Sequence, residues 1–249
     1  MKKVVTDRYD SVTRITKTEH VRVVKDIFKT ITGRYDFLNH FFSLGQDIYW
    51  RRFTVGRMRF FETFRYLDVA TGTGDLAIQT AGRYGDVQVT GVDFVQEMMD
   101  RGQEKVHRRG LSARIGFCRG DALNLPFPDN HFDVAGIAFG IRNVTDRLRA
   151  LAEMMRVIVP GGQVMVLEMN FPRQRALQLI YDLYLNHILP WTSRHFSSNP
   201  AAYYYLADSI VNFPSPEAFA RLMTEAGLTD VARHPLTMGI THLYRGIKP

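Results

Sequence analysis

The residues best suited to chemistry surround a glycine-rich segment, Leu67-Asp-Val-Ala-Thr-Gly-Thr-Gly-Asp75. Gly72 and Gly74 let the chain turn sharply and bring its backbone close to a ligand without Cβ contacts. Asp93 lies 21 residues beyond Gly72, at the carboxyl end of the second predicted strand, where a carboxylate can accept hydrogen bonds from both hydroxyls of a ribose. Gly120-Asp-Ala122 follows the third predicted strand. These positions indicate a nucleoside-containing ligand.

The glycine pattern does not select one cofactor by itself. Gly72-Thr-Gly-Asp-Leu-Ala77 also satisfies the G-x-G-x-x-A form of a nicotinamide dinucleotide site, and an ordinary tight strand-to-helix turn accounts for a fair share of such matches. Three consecutive strands that end in small or polar residues at one sheet edge favour a bound nucleoside. A nicotinamide-dependent dehydrogenase remains an alternative.

The elements that must position these residues follow an alternating pattern. From residue 66 onward, short β-branched runs alternate with helical stretches, which is typical of a parallel sheet covered by helices. The predicted strands are 66–70, 88–93, 114–119, 134–139, 163–169, 229–234 and 242–247, and the predicted helices are 75–84, 95–109, 146–158 and 216–226. Pro160-Gly-Gly162 predicts a turn between the helix that ends at 158 and the next strand. The last two strands should close the sheet with an antiparallel edge.

Two regions stand outside this alternation, within what we expect to be a single domain spanning 1–249. Residues 1–60 combine a helical apolar pattern with a run of aromatic residues, and 172–212 form an insertion rich in Leu, Ile, Tyr and Trp. We expect a helical N-terminal cap and a helical insertion that cover the ligand site. Core packing is the simpler explanation for at least half of these apolar side chains.

Charge and composition restrict the surroundings of the protein. Residues 1–65 contain 14 Lys and Arg against 7 Asp and Glu, a net of +7, and the rest of the chain is neutral overall. A basic segment suits an anionic lipid surface, an acidic ligand or nucleic acid, and a solvated face is the commonest explanation. Cys118 is the one cysteine, so we expect no disulfide, no metal site and a cytoplasmic location.

Several segments resemble a known enzyme family. The segment 68–75 resembles the first motif of class I methyltransferases, and Leu125-Pro-Phe-Pro-Asp-Asn-His-Phe-Asp133 resembles the stretch before their fourth strand. Narrower matches to the ubiquinone/menaquinone biosynthesis C-methyltransferases are Phe139-Gly-Ile-Arg-Asn-Val-Thr-Asp146 and the segments 35–39, 50–52, 203–210, 213–214 and 236–240. These matches occur in the same order as in the family, from about residue 20 to the C-terminus.

The resemblance implies an α/β fold, a Rossmann-like seven-stranded class I methyltransferase sheet with helices on both faces, and S-adenosylmethionine as methyl donor. It implies C-methylation of a prenylated quinol, either demethylmenaquinol or the corresponding ubiquinone precursor. The positions that it places against the cofactor are Gly72, Thr73, Gly74, Asp93, Asp121 and Ala122. Thr71 and Ala138 depart from the pattern, because the family usually has glycine at the first and some members have serine at the second.

The family match favours Arg142 and Asn143 as catalytic residues. Methyl transfer to a ring carbon needs a stabilised phenolate-like oxygen, so we expect Arg142 to stabilise that oxygen, directly or through a water, and Asn143 to orient the ring. The simpler alternative is a salt bridge from Arg142 to Asp146. Tyr203 and Tyr205 are candidates for the substrate pocket.

Further expectations concern partners and competing functions. We expect peripheral docking of the basic N-terminal quarter on an anionic membrane, and the apolar insertion could serve a homodimer. A methyltransferase that acts on another small phenol or amine shares the whole cofactor argument. A basic nucleic-acid-binding protein is the most remote alternative, because the sequence has no nucleic-acid-binding motif.

Overall fold

A computed structural model describes residues 43–172 and 201–249, together with the isolated positions 26, 40, 178 and 183. The helices within this part are α1 (Gln46–Val55), α2 (Asp75–Arg83), α3 (Gln96–Arg108), α4 (Arg147–Val157), α5 (Ala201–Val211) and α6 (Pro216–Glu225). The strands are β1 (Arg65–Val69), β2 (Gln88–Asp93), β3 (Ile115–Arg119), β4 (Phe132–Ala138), β5 (Ile158–Met169), β6 (Thr229–Leu236) and β7 (Thr241–Ile247). Short 3-10 turns occupy Ile141–Asn143 and Thr237–Gly239.

The seven strands form one sheet in the order β3-β2-β1-β4-β5-β7-β6. The first five strands pair in parallel, while β7 pairs antiparallel with both β5 and β6. The α/β class and the seven-stranded sheet are therefore confirmed. The expected antiparallel edge is confirmed as well, because the last two strands close the sheet with antiparallel pairing, with β7 between β5 and β6 and with β6 at the edge.

Helices cover both faces of the sheet. On one face α4 and α6 pack over the apolar side chains of β4, β5 and β7, around fully buried residues such as Leu151, Phe219 and Tyr244. On the other face α1 and α2 pack against the sheet with Val106 of α3. Each face buries a continuous apolar cluster, which is the dominant favourable contribution to folding.

The segment Pro160-Gly161-Gly162 lies inside β5 and not between a helix and a strand as expected. The α4 helix ends at Val157 and β5 begins at the next residue, Ile158. The register with β4 steps from Phe132↔Ile158 to Val134↔Gln163, so these residues bulge out of the ladder. Gly161 has φ 77°, and its backbone N–H donates to Lys248 O at 2.9 Å. The extra residues are accommodated at the start of the strand, where glycine tolerates the left-handed backbone.

The two regions outside the alternation are described only in part. Helix α1 lies within the expected N-terminal cap (1–60), and helix α5 lies within the expected insertion (172–212). Trp50 of α1 donates from Nε1 to Thr237 Oγ1 at 2.8 Å, and Thr237 Oγ1 donates to Gln46 Oε1 at 3.1 Å. Helix α1 is thereby fixed to the turn between β6 and β7, beside the carboxyl ends of the parallel strands.

A buried carboxyl group fastens the glycine-rich turn to the sheet. Asp68 of β1 is 2 % exposed, and it accepts hydrogen bonds from Thr71 Oγ1 at 2.6 Å, Ala77 N at 3.2 Å and Tyr66 OH at 3.2 Å. Thr71 belongs to the turn and Ala77 to the first helical turn of α2. One carboxyl therefore connects the strand, the turn and the helix that follows it.

Glycines on both neighbouring strands make room for this network. Asp68 pairs with Gly91 of β2 and with Gly136 of β4. A Cβ at Gly91 would lie 2.9 Å from Oγ1 and Cγ2 of Thr71, and a Cβ at Gly136 would collide with the Tyr66 hydroxyl. The departure at position 71 thus has a structural reason, because the Thr71 side chain fills the space above Gly91 and donates to Asp68.

We predict that Asp68→Asn makes the free energy of unfolding less dependent on pH. Burial raises the pKa of Asp68 to about 7, against the lowering effect of its hydrogen bonds. A raised folded pKa gives stability that is fully present below the unfolded pKa near 3.8 and is lost as the pH rises through 7. Wild type should therefore lose up to about 4 kcal/mol relative to the variant between pH 4 and 7.

Urea unfolding at pH 4, 5, 6 and 7 measures this difference. Asparagine can keep the geometry, with Oδ1 accepting from Thr71 and Ala77 and Nδ2 donating to Tyr66. Asp129→Asn, at an exposed ion pair with Arg156, is the control. A wild-type-to-variant difference that stays constant over this range would refute the raised pKa.

Candidate active site

A cavity opens at the carboxyl edge of the parallel strands. Its wall combines residues that follow β1, β2, β3 and β4, together with the first residues of α3. The lining residues are Ala70, Gly72, Val92, Asp93, Phe94, Val95, Met98, Gly120, Asp121, Ala122, Leu123, Ala138, Phe139, Gly140, Asn143, Val144 and Thr145. The cavity brings the glycine-rich turn and the 139–146 motif into one wall, although they are some 70 residues apart in the chain.

Two of the lining residues have left-handed backbones without being glycine. Ala70 has φ 51° and Phe139 has φ 58°, and each directly follows one of two adjacent strands, β1 and β4. Between them Gly140 comes so close that a Cβ there would lie 2.9 Å from Ala70 Cβ. Such conformations cost about 1–3 kcal/mol each and cluster at functional sites. They turn the chain sharply at the point where the cavity opens.

Asp93 lies in the cavity wall and is held by backbone donors. Gly72 N donates to Asp93 Oδ2 at 2.8 Å and Val95 N donates to Oδ1 at 2.9 Å. Burial raises the pKa of Asp93, and the backbone hydrogen bonds oppose that rise. A carboxylate has about four acceptor positions, so the group retains capacity for the hydroxyls of a ribose. Gly72, with φ 56°, brings its backbone to the same wall, where a Cβ would meet Met98 Cε at 3.4 Å.

Asp121 and Ala122 line the cavity just after β3. Asp121 follows β3, is exposed, and accepts a hydrogen bond from Leu123 N at 2.9 Å. A backbone bond from Asn124 N to Asp121 O closes the loop. With Val92 and Val95, the side chains of Ala122 and Leu123 give this end of the cavity apolar walls beside one carboxylate, which suits a heterocyclic base.

Thr73 and Gly74 do not line the cavity. The Thr73 side chain is 2 % exposed, and its hydroxyl accepts a hydrogen bond from Lys105 Nζ of α3 at 3.1 Å. The same ammonium group of Lys105 also pairs with Asp75. Gly74, with φ 77°, begins α2 and lies so close to Phe117 that a Cβ would approach its ring at 3.0 Å. In this structure the two residues shape the turn, and their contact with a cofactor stays a prediction.

Arg142 forms a buried ion pair with Glu168 of β5. Its Nη1 donates to Glu168 Oε1 at 2.7 Å and to Phe139 O at 2.6 Å, and its backbone N–H donates to Glu168 Oε2 at 3.2 Å. The expected alternative partner, Asp146, instead caps α4 by accepting from Arg149 N at 3.1 Å. Arg142 is not among the residues that line the cavity, so its guanidinium lies behind the wall.

Asn143 follows Arg142 directly and does line the cavity. Its Oδ1 accepts a hydrogen bond from the hydroxyl of Tyr205 at 3.0 Å. The structure therefore brings together two residues that the sequence separates by 62 positions and that we had assigned independently to catalysis and to the substrate pocket. Position 203 belongs to α5, and its side chain lies outside the described residues.

Sequence reasoning missed two buried carboxyls of this site, Asp68 and Glu168. Asp68 was treated only as a part of the glycine-rich motif, and Glu168 only as a position within the predicted strand 163–169. A signal existed in both cases, because a charged residue inside an apolar strand is costly unless it is hydrogen-bonded or paired. The identity of the partner was not readable, since Arg142 lies 26 residues before Glu168.

The family model described as the ubiE/COQ5 methyltransferase family matches residues 14–248 of this chain. A relative from Geotalea daltonii, named ubiquinone/menaquinone biosynthesis C-methyltransferase UbiE, is 42 % identical over 232 residues, which is 93 % of this chain and 98 % of that protein. The demethylmenaquinone methyltransferase of Deinococcus radiodurans is 41 % identical over 232 residues, 93 % of this chain and 95 % of that protein.

Among solved structures, the chain resembles the phosphoethanolamine N-methyltransferase 2 of Haemonchus contortus in complex with S-adenosyl-L-methionine. The TM-score is 0.59 at 17 % sequence identity, and the match covers 82 % of this chain and 52 % of that one. At this identity the likeness concerns the fold.

Proposed function

Since the chain belongs to the ubiE/COQ5 methyltransferase family, we propose that it methylates a ring carbon of a prenylated quinol, with demethylmenaquinol as the first candidate substrate. The chain is an S-adenosylmethionine-dependent C-methyltransferase of quinone biosynthesis. The observation that carries the finer proposal is the single cavity in which Asp93 and Gly72 share one wall with Phe139 and Asn143. A cofactor end and a substrate end are thereby contiguous.

The residues present fit the methyl donor. Asp93 offers a buried carboxylate to the ribose hydroxyls, Gly72 allows a close backbone approach, and the walls formed by Val92, Ala122 and Leu123 suit the adenine ring. Bound S-adenosylmethionine supplies an electrophilic methyl group on a sulfonium. Asp121 and Ala122 are proposed cofactor contacts at the same end.

The substrate end must favour the negative charge that develops on a quinol oxygen. Asn143 lies in the wall and can donate from its amide, and the Arg142 guanidinium, paired with Glu168, lies behind the wall. Guanidinium remains charged in proteins and does not act as a proton acceptor. We propose that Asn143 touches the substrate oxygen and that Arg142 stabilises it from behind, through its field or an intervening water. Ala138 lines the wall without a hydrogen-bonding side chain.

The competing functions weighed from the sequence are each less well supported. A dehydrogenase explains the glycine turn and Asp93 but gives the 139–146 motif no role, and the family match extends over 14–248. A methyltransferase that acts on another small phenol or amine differs only in its substrate, so an assay with several substrates distinguishes the two functions. The basic N-terminal quarter needs no nucleic acid, because an anionic lipid surface satisfies the same charge.

We propose that the protein docks on an anionic lipid membrane with a surface at the carboxyl edge of the sheet. Leu44 is 88 % exposed and Met238 is 66 % exposed, on either side of the contact between α1 and the 237–239 turn. Arg52 is exposed on α1, so exposed apolar and basic side chains occur on and just before this helix, as at an interfacial docking site. No helix in the described part of the chain is long and apolar enough to cross a bilayer. A homodimer stays a prediction.

We predict that the chain transfers labelled methyl from S-adenosylmethionine to the ring carbon of reduced demethylmenaquinone. A reduced benzoquinone precursor of ubiquinone and a prenyl-free phenol are assayed in parallel. Label on the ring of either prenylated quinol identifies the substrate class. Label on the prenyl-free phenol alone, or on none of the three with cofactor binding intact, would contradict the proposal.

We predict that Asp93→Asn weakens the binding of S-adenosylhomocysteine by about 10- to 100-fold, because the amide cannot accept from Gly72, Val95 and a ribose together. Isothermal titration without quinol measures the affinity. Asp100→Asn, at an exposed carboxylate of α3 that accepts from Gln96, should bind like wild type. Equal affinities for the two variants would remove Asp93 from the cofactor site.

We predict that the protein sediments with vesicles containing anionic lipid, more strongly at low salt, and that replacing Leu44 and Met238 together by glutamine lowers the bound fraction. The matched control is Phe61→Gln, which removes an exposed apolar side chain (51 %) beside Gly161 at the opposite edge of the sheet. Binding that ignores anionic lipid, or an equal loss in the control, would defeat this docking surface.

A further inference from the structure

We propose that Glu168 and Tyr205 are positioning residues for methyl transfer, because they hold Asn143 in the cavity wall from two sides. Glu168 fixes the backbone of the turn on which Asn143 lies, and Tyr205 fixes the orientation of its amide. This inference rests on the proposed function, in which Asn143 touches the substrate oxygen. Neither positioning residue lines the cavity itself.

Glu168 holds the turn through Arg142. The carboxylate is fully buried, and it accepts from the Arg142 side chain at 2.7 Å and from the Arg142 backbone N–H at 3.2 Å. A third hydrogen bond comes from Met169 N at 2.9 Å. Because the same guanidinium also donates to Phe139 O at 2.6 Å, both ends of the turn before Asn143 are tied to β5.

Moving this turn would be costly. Removing one partner of a buried ion pair is strongly destabilising, since it leaves the other charge uncompensated in a low dielectric. Arg147 of α4 adds a further tie, as its Nη2 donates to Arg142 O at 3.1 Å. The backbone that carries Asn143 is therefore anchored to β5 and to α4 at once.

Tyr205 acts on the side chain of Asn143. Its hydroxyl donates to Asn143 Oδ1 at 3.0 Å, from a ring that is only 7 % exposed. Burial raises the pKa of Tyr205 to about 12, and the nearby Arg142 and Arg147 lower it less. At neutral pH the phenol therefore stays protonated and can donate to Asn143 Oδ1, which is the atom that faces it. The Nδ2 of Asn143 then lies on the other side of the amide.

The consequence for the reaction is a hydrogen-bond donor whose direction is set before the substrate arrives. Preorganised donors aimed at developing charge are among the largest contributions to catalysis, and small misplacements of the donor lower the rate strongly. Tyr205 belongs to α5, outside the sheet, whereas Glu168 belongs to β5. The substrate-facing amide is thus held between the sheet and the helix that follows the 172–200 region.

The decisive comparison is Tyr205→Phe against Tyr244→Phe. Tyr244 is a matched control, because its hydroxyl donates to Asn170 Oδ1 at 2.9 Å from a fully buried ring, and Asn170 does not line the cavity. Both variants lose one buried tyrosine-to-asparagine hydrogen bond. Tyr205→Phe should lower kcat about tenfold or more with KM for the quinol and the affinity for S-adenosylhomocysteine within twofold. Tyr244→Phe should lower thermal stability and leave kcat within twofold.

Glu168→Gln tests, with the same assay, whether Glu168 fixes the backbone of the turn that carries Asn143. The substitution keeps the side-chain volume and removes the charge opposite Arg142, so kcat should fall about tenfold or more, again without loss of cofactor affinity. In an Asn143→Ala background, Tyr205→Phe should change kcat by less than twofold, because Tyr205 acts through the missing amide. An independent loss in that background would overturn the proposal.

An activity-free measurement keeps this inference distinct from the proposed function. In a 15N-labelled protein, the side-chain amide resonances of Asn143 are identified by their loss in Asn143→Ala. They should shift in Tyr205→Phe and Glu168→Gln and not in Tyr244→Phe. A wild type that methylates none of the quinols refutes the proposed function. Unshifted amide resonances, or full turnover by Tyr205→Phe, refute the positioning of Asn143.

Discussion

The buried carboxyl of Asp68 is the interaction on which the cofactor end of the molecule depends. It joins β1, the turn at Thr71 and the first turn of α2 through three hydrogen bonds, and glycines must stand beside it on both neighbouring strands. A polar group buried without partners would cost several kcal/mol. The network therefore exists only when strand, turn and helix are all in place, which makes the glycine-rich turn a rigid part of the sheet.

At the proposed substrate end a second buried carboxyl group, that of Glu168, also fixes a turn to the sheet, here through an ion pair. Glu168 and Arg142 are both buried, so each requires the other, and their pairing fixes the turn after β4 to β5. The two carboxyls lie on opposite faces of the sheet, since Tyr66 beside Asp68 packs with α1 and α2, while Val166 beside Glu168 packs with α4 and α6. The cavity opens between two turns that are anchored independently, one through Asp68 and the other through Glu168 and Arg142.

Most of the sheet was predictable because strand periodicity is local. The predicted strand 88–93 coincides with β2, and the carboxyl ends of the parallel strands agree to within one residue with those predicted from apolar runs and turn signals. The error occurs where pairing decides the structure, because the glycines after Pro160 form a bulge inside β5, where β4 continues alongside. The order of the last two strands is also set by pairing, since β7 pairs with both β5 and β6.

The sequence by itself determined the fold class, the carboxyl-edge location of the site, and Asp93 and Gly72 as neighbours in it, because a strand–turn–helix unit is specified by residues close in the chain. Only the tertiary structure decided what Arg142 and Tyr205 do. The partner of Arg142 is Glu168 rather than the nearby Asp146, and Tyr205 reaches Asn143 across 62 positions. A buried charge binds whichever opposite charge shares its desolvated space, and that neighbour is set by how strands and helices pack, not by distance along the chain.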